Sequence, residues 1–182
     1  MAALMLLVCS TLFAASVPEK IKAIHKSGET MTTSFTETSV MPKLKKETQK
    51  NGTLVFTAPN DLKLEYQDPA GDYTLITADR FETCREGKVQ KLPCKNQQGQ
   101  WAVFRSTLLL SFMGDVEAVA KLNEAKAEYK EEGGNYVCTL TADKAKQQGI
   151  AQLVLVYDKK TGKLTSLTVT KGNGNYTKYA VK

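Results

Sequence analysis

Histidine is nearly absent from this sequence, since its 182 residues contain only one, His25. Metal sites and Ser-His-Asp catalytic sites need a histidine that works with other ligands or with an activated nucleophile. His25 has no second histidine to work with and no cysteine near it, so we interpret it as a surface residue of the first predicted helix. No Ser, His and Asp set in the sequence suggests an activated nucleophile.

Two other features that mark common function classes are also missing. No glycine-rich loop leads from a predicted strand into a helix, so nucleotide phosphates have no evident cradle. The four cysteines do not have zinc-site spacing. The glycines at 133–134 and 172–174 stand at hairpin positions, where glycine supplies a positive φ. We therefore expect no cofactor, no metal and no enzymatic activity.

The long apolar run of a membrane-spanning helix is absent as well. Residues 2–15 are uncharged and rich in Leu, Met, Val and Ala, but they fall short of the ~20 residues that a span requires. Ala14 and Ser16 are small residues placed as a cleavage signal needs. The sequence therefore predicts a signal peptide at residues 1–16 and one mature domain at residues 17–182.

The net charge of +6 has two interpretations. It fits a solvated basic surface, and it also fits attraction to anionic lipid headgroups or acidic partners. Export removes the usual nucleic-acid partners, so we expect none. In an oxidising compartment Cys84 and Cys94 could pair across the turn at 86–88, or both could be buried free thiols.

Alternation of apolar and polar residues predicts most of the chain to be strands. Leu62, Leu64 and Tyr66 alternate with charged neighbours, which is typical of a half-buried strand. Turn signals recur every 8–12 residues or so, and they indicate an antiparallel meander. The predicted strands lie at 32–40, 54–56, 62–66, 73–76, around Phe81, and at 126–129, 136–140, 150–157, 164–170 and 176–181.

Two segments are predicted to be helical. Residues 18–31 begin with Pro18, which suits a first helical turn. Residues 107–123 contain the most hydrophobic stretch of the mature chain and are broken at Gly114. A helix that is apolar nearly all round should be buried, either as a plug that fills a barrel core or as a lid over a ligand cavity.

The order of several segments resembles the outer-membrane lipoprotein carrier (LolA-like) family. Thr33-Ser34-Phe35-Thr36-Glu37 resembles its SFxQ strand, and residues 51–56 and 58–66 resemble the following GxLxxxRPxxFRWxY motif. Residues 69–79 match its next segment, and residues 150–155, 158–162, 164–167 and 174–179 resemble its closing strands. The likeness covers nearly the whole mature chain. One departure is Ala58, which stands where the family has an arginine that contacts the lid helices.

The resemblance implies a mainly β fold: an incomplete, unclosed antiparallel β-barrel with an N-terminal helix and a central α-helical lid. It also implies a periplasmic, monomeric carrier that holds the acyl chains of lipoproteins in an apolar cavity. The expected partners are acylated lipoproteins or another lipid, an inner-membrane ABC-type exporter and an outer-membrane acceptor. Two alternatives remain open: a carrier or sensor of another amphiphile such as a glycolipid, and a secreted interaction domain with a filled core.

The site residues follow from the predicted strand faces and the central helix. The lid is predicted to consist of Leu108, Leu109, Phe112 and Met113. The acyl-chain cavity is predicted to be lined by Leu54, Phe56, Leu64, Tyr66, Tyr73, Leu75, Val154, Val156, Leu167 and Val169.

Overall fold

The computed structural model describes residues 15–22, 29–93, 99–142 and 149–182. Within them lie eleven strands and three α-helices. The strands are β1 (Thr30–Met41), β2 (Lys46–Thr57), β3 (Asp61–Tyr66), β4 (Tyr73–Ile76), β5 (Arg80–Arg85), β6 (Lys88–Pro93), β7 (Ala125–Glu132), β8 (Asn135–Ala142), β9 (Ile150–Asp158), β10 (Leu164–Lys171) and β11 (Tyr176–Val181). The helices are α1 (Val17–Lys22), α2 (Gln100–Phe112) and α3 (Val116–Leu122), and a short 3-10 turn at Pro42–Leu44 joins β1 to β2.

All eleven strands form one antiparallel sheet in the order β6-β5-β4-β3-β2-β1-β11-β10-β9-β8-β7. Each half of the sheet is a meander, because consecutive strands pair through short turns. The two halves meet where β1 pairs with β11, with Phe35 opposite Val181 and Val40 opposite Tyr176. The ends of the order, β6 and β7, are not paired with each other, so the sheet is an unclosed barrel.

The core lies on the concave face of the sheet. Side chains alternate between the faces of a strand, and one set is buried in each half, for example Leu62 and Leu64 in β3 and Leu153 and Leu155 in β9. Helix α2 covers this face: the Phe112 ring lies 5.4 Å from the Phe56 ring. The buried Tyr157 hydroxyl donates to the Ser111 carbonyl at 2.7 Å.

The break between α2 and α3 has a local cause. Gly114 has a φ of +68°, a conformation that glycine adopts without steric cost. Asp115 then caps α3, because its carboxylate accepts a hydrogen bond from the Ala118 amide. The predicted helix break at Gly114 is confirmed, and so is the predicted fold class.

Three predicted boundaries were wrong. Thr30 and Met31 belong to β1 rather than to the first helix, whose described part ends at Lys22. Strand β2 begins at Lys46, well before the predicted start at residue 54, because the β1–β2 hairpin extends beyond the core, where exposed residues show no alternation. Helix α2 begins at Gln100 instead of residue 107, since Arg105 and Ser106 interrupt the apolar pattern.

Some predictions fall on undescribed parts of the chain. Residues 1–14, which hold most of the predicted signal peptide, lie outside the described residues, as do His25 and Cys94. The signal-peptide boundary and the domain limits therefore stay predictions. In the described part of the chain, no helix is long and apolar enough to cross a membrane.

The junction of β1, β2 and β3 predicts a strict requirement for glycine at position 52. A Cβ added to Gly52 would lie 2.0 Å from the Glu65 carbonyl oxygen and 2.7 Å from Cε1 of Phe35. The backbone oxygen is held in the sheet, so Gly52→Ala is expected to lower the free energy of unfolding by about 3 kcal/mol. Urea denaturation followed by circular dichroism measures this.

Gly149→Ala is the matched control. Among the described residues, a Cβ at Gly149 meets no atom within 4 Å, so its effect should stay within about 0.5 kcal/mol. Equal stability of the Gly52→Ala variant and the wild type would contradict the packing described for this junction.

Candidate functional site

Two neighbouring cavities lie between α2 and the concave face, and we call them together the inner cavity. The larger has a volume of about 470 Å³ and the smaller about 210 Å³. Trp101, Phe104 and Tyr179 line both of them. The larger is lined in addition by Val103, Asn123, Gly149, Ile150, Val169, Lys171 and Thr177.

The smaller part of the inner cavity has a polar floor. The Tyr66 hydroxyl donates to Oε2 of Glu37 at 2.6 Å. Nη2 of Arg85 donates to the Tyr66 hydroxyl at 3.3 Å and to Oγ1 of Thr74 at 3.0 Å. The Arg85 guanidinium also lies 4.5 Å from the centre of the Tyr66 ring. The floor thus carries a carboxylate and a guanidinium linked through one tyrosine hydroxyl.

The tyrosines of this floor are held in their neutral form. Burial raises the pKa of Tyr66, and the neighbouring Glu37 carboxylate raises it further. Burial likewise raises the pKa of Tyr179 well above its usual value, with Glu37 again contributing. Both effects disfavour a second negative charge beside Glu37. The two hydroxyls therefore remain hydrogen-bond donors at neutral pH.

Six of the predicted lining residues share the concave face: Leu54, Phe56, Leu64, Tyr66, Leu167 and Val169, all buried. Leu64 and Tyr66 line the smaller part of the inner cavity, and Val169 lines the larger.

The strand register corrects the placement of the other four predicted lining residues. These are Tyr73, Leu75, Val154 and Val156. Leu64 pairs with Thr74, so Tyr73 and Leu75 point to the opposite face of β4. Thr74 faces inward despite being polar because Arg85 satisfies its hydroxyl.

Strand β9 shows the same shift by one residue. Leu155 pairs with Leu167 and is buried, whereas Val154 and Val156 lie on the other face and are half-buried. Both faces of β9 are apolar, so alternation alone could not decide between them. The sequence also gave no sign that Glu37, Arg85, Trp101, Phe104 and Tyr179 would meet at one cavity, because the pairing of β1 with β11 brings these distant segments together.

The predicted lid residues all lie on α2, on more than one of its sides. Leu108 lines the smaller part of the inner cavity, and Phe112 contacts Phe56. Leu109 and Met113 line a different cavity, described below. Helix α2 is apolar nearly all round because it has packing or a cavity on several sides.

An arginine does connect the covering helix to the sheet, but it stands on the helix. Nη1 of Arg105 in α2 donates to the carbonyl oxygens of Thr77 and Ala78 in the turn between β4 and β5. Ala58 is buried in the turn after β2, and its backbone amide donates to the Glu29 carbonyl at 3.1 Å. In this chain the described hydrogen bonds between α2 and the β4–β5 turn therefore come from the helix.

Other reactive groups are sparse in the described ranges. Cys84 and Cys138 are buried free thiols, and Cys94 lies outside those ranges. Burial raises the pKa of the Cys138 thiol to about 12, which keeps it protonated and unreactive at neutral pH. No group of three or more His, Cys, Asp or Glu side chains suited to a metal ion occurs among the residues described.

An unclosed antiparallel sheet with helices across its concave face is the LolA-like fold. The sequence model of the family described as "outer membrane lipoprotein carrier protein LolA" matches residues 26–182, and the chain belongs to this family. The resemblance predicted from the sequence motifs is confirmed. No curated protein sequence matches the chain.

Solved structures with a similar fold are distant in sequence. A LolA superfamily protein from Nitrosomonas europaea is 9% identical, with 90% of this chain and 89% of that chain covered and a TM-score of 0.41. A putative outer membrane lipoprotein-sorting protein domain from Vibrio parahaemolyticus is 11% identical, with 90% and 87% covered and a TM-score of 0.43. The complex of the CwlD amidase with the GerS lipoprotein from Clostridioides difficile also contains a match, at 17% identity, 80% and 78% coverage and a TM-score of 0.41.

The polar floor predicts a pH-dependent effect of Tyr66→Phe. At pH 8 the variant should be less stable by about 1–2 kcal/mol, because Glu37 and Arg85 lose a buried hydrogen-bond partner. The folded pKa of Tyr66 is raised above its unfolded value of about 10. Its stabilising contribution is therefore complete below about pH 10 and is lost as the pH rises further.

Urea unfolding of both proteins between pH 8 and pH 11 measures this difference. The stability gap between wild type and Tyr66→Phe should narrow above about pH 10. A gap that is constant across this range would show that Tyr66 is not held neutral by its surroundings.

Proposed function

We propose that this protein is a periplasmic lipoprotein carrier that holds acyl chains in the inner cavity beneath α2. The observation that carries the proposal is an apolar cavity of about 470 Å³ on the concave face, with Trp101, Val103 and Phe104 on one wall and Val169 on the other. This volume lies within the ~300–1,000 Å³ that is typical of small-molecule sites.

The physical task of such a carrier is to move a lipid through water. Burial of an acyl chain contributes about 0.8 kcal/mol per CH₂ group, so a cavity of this kind can hold a chain without any covalent chemistry. We therefore propose no enzymatic role. The mouth of the cavity is accessible, since Trp101 is 48% exposed.

Release of the lipid requires that the cavity not fit too well. At the deep end of the cavity, Glu37, Arg85 and the Tyr66 hydroxyl stand beside the apolar side chains, so an acyl chain meets polar groups there, which limits affinity. Helix α2 acts as the lid, and Arg105 ties it to the β4–β5 turn through two carbonyl oxygens. In this proposal the lid opens when an inner-membrane ABC-type exporter delivers the lipoprotein and again when an outer-membrane acceptor takes it.

Trp101 offers a direct test of the inner cavity because it is the only tryptophan of the chain. A fatty acid brominated along its chain should quench Trp101 fluorescence in a saturable way. Val103→Glu places a charge in the cavity wall, which a bound chain would have to desolvate. We expect this variant to bind the brominated chain at least about tenfold more weakly.

Val154→Glu is the matched control, with the same substitution on a half-buried valine of the convex face. It should bind the brominated chain within about twofold of the wild type, which is less than ~0.5 kcal/mol. Circular dichroism of both variants shows whether the sheet is intact. If both variants lose binding equally, or if neither variant loses binding, the inner cavity is not the acyl site.

The cargo is tested by native mass spectrometry of protein purified from the periplasm, with a co-expressed lipoprotein. We expect the acylated lipoprotein to co-purify and to be lost when its acylated cysteine is replaced by alanine. A bound free lipid or glycolipid instead would make the protein a carrier or sensor of another amphiphile. A mass without ligand in every preparation would favour an interaction domain with a filled core.

A further inference from the structure

A second cavity lies on another side of α2, and we call it the outer cavity. Its volume is about 690 Å³. None of its described lining residues lines the inner cavity. It is lined by Lys22, Pro59, Asn60, Ala78, Arg105, Ser106, Leu109, Leu110, Met113, Asp115 and Leu122.

Arg105 is the unusual residue of this lining. Its side chain is buried, with an exposed fraction of 4% for the residue. Nη1 donates to two backbone carbonyl oxygens and Nη2 to Oγ of Ser106 at 3.4 Å, so all of these acceptors are neutral. Nε is buried and has no hydrogen-bond partner within the described part of the chain. A buried charge is normally paired with an opposite charge, because desolvation alone is costly.

The one carboxylate among the described lining residues is already paired. Asp115 lines the outer cavity, but its carboxylate is 2.8 Å from Nζ of Lys22. No carboxylate of the described residues forms an ion pair with Arg105. The undescribed residues contain one acidic side chain, Asp143. Among the described lining residues, the charges of Lys22 and Asp115 cancel, which leaves the positive charge of Arg105.

The rest of the wall is largely apolar, formed by Leu109, Leu110, Met113, Leu122 and Pro59. Methionine and leucine suit contact with flexible chains of varied shape. We propose that the outer cavity binds an amphiphile with an anionic headgroup, a phosphate or a carboxylate, beside Arg105, with its chain along Leu109, Leu110 and Met113. This is a second site, and the proposal does not depend on the lipoprotein-carrier role.

Isothermal titration calorimetry on the full-length purified protein tests the proposal with three ligands of one chain length. Dodecyl phosphate and laurate carry the two anionic headgroups, and dodecyl octaethylene glycol ether carries none. All are used below their critical micelle concentrations. At least one anionic ligand should bind about tenfold more tightly than the uncharged ether, which is a typical gain for a charge-assisted contact. A preference for dodecyl phosphate points to phospholipids and a preference for laurate to fatty acids.

Three substitutions test whether the preference for anionic ligands depends on Arg105. Arg105→Gln should abolish it, and Arg105→Lys, which keeps the charge, should retain most of it. Lys160→Gln removes the same net charge from an exposed turn residue and should leave the preference unchanged. If Arg105→Gln fails to fold, Leu110→Trp fills the outer cavity without touching the charge, and it should remove the tighter anionic binding.

The proposal is overturned by equal affinity of the wild type for charged and uncharged chains. It is also overturned if Arg105→Gln or Leu110→Trp folds and keeps the preference, or if Lys160→Gln loses it, since the effect would then reflect net charge alone. The calorimetry uses no lipoprotein, so a negative result does not test the lipoprotein-carrier proposal. Conversely, a negative result for lipoprotein co-purification does not test the anionic site of the outer cavity.

Discussion

The pairing of β1 with β11 is the constraint on which the rest of the structure depends. It joins the first and last strands of the described sheet, and without it the two meanders would share no concave face. Phe35 lies at this junction, buried and edge-on to the Tyr66 ring at 5.4 Å. The absence of a side chain at Gly52 leaves room for the Phe35 ring. One long-range contact thus creates the surface that α2 covers and the cavities that lie beneath it.

Most of the fold was predictable from the sequence because local signals carry it. The hairpin at Gly133–Gly134 and the break at Gly114 stand where composition predicted them. The prediction failed for strands whose two faces are similarly apolar, because alternation does not then show which face points inward. In β4 the inward residues include Thr74, whose hydroxyl is satisfied by Arg85, a contact that no local pattern could reveal.

The residues of the candidate site were harder to predict because their meeting depends on tertiary pairing. Glu37 and Tyr179 are far apart in the chain, yet the β1–β11 register places them opposite each other. Arg105 interrupted the apolar pattern of α2, which moved the predicted start of the helix to residue 107. The same residue ties the helix to the β4–β5 turn, so the feature that obscured the helix in the sequence is the one that fixes its position in the fold.

A carrier must hold its cargo and still release it, and the two requirements set opposite demands on the cavity. Complete burial of a chain of about fifteen methylenes would contribute on the order of 10 kcal/mol, which a transfer protein has to give back at each delivery. In the proposed carrier, the cavity withholds part of this energy, because a methylene beside Glu37 and Arg85 makes fewer apolar contacts than it would in a wholly apolar pocket. Polar groups in the core ordinarily cost stability unless they are paired. In the proposed carrier they limit the strength of binding, and the hydrogen bonds that join Glu37, Tyr66 and Arg85 offset their cost in the folded protein.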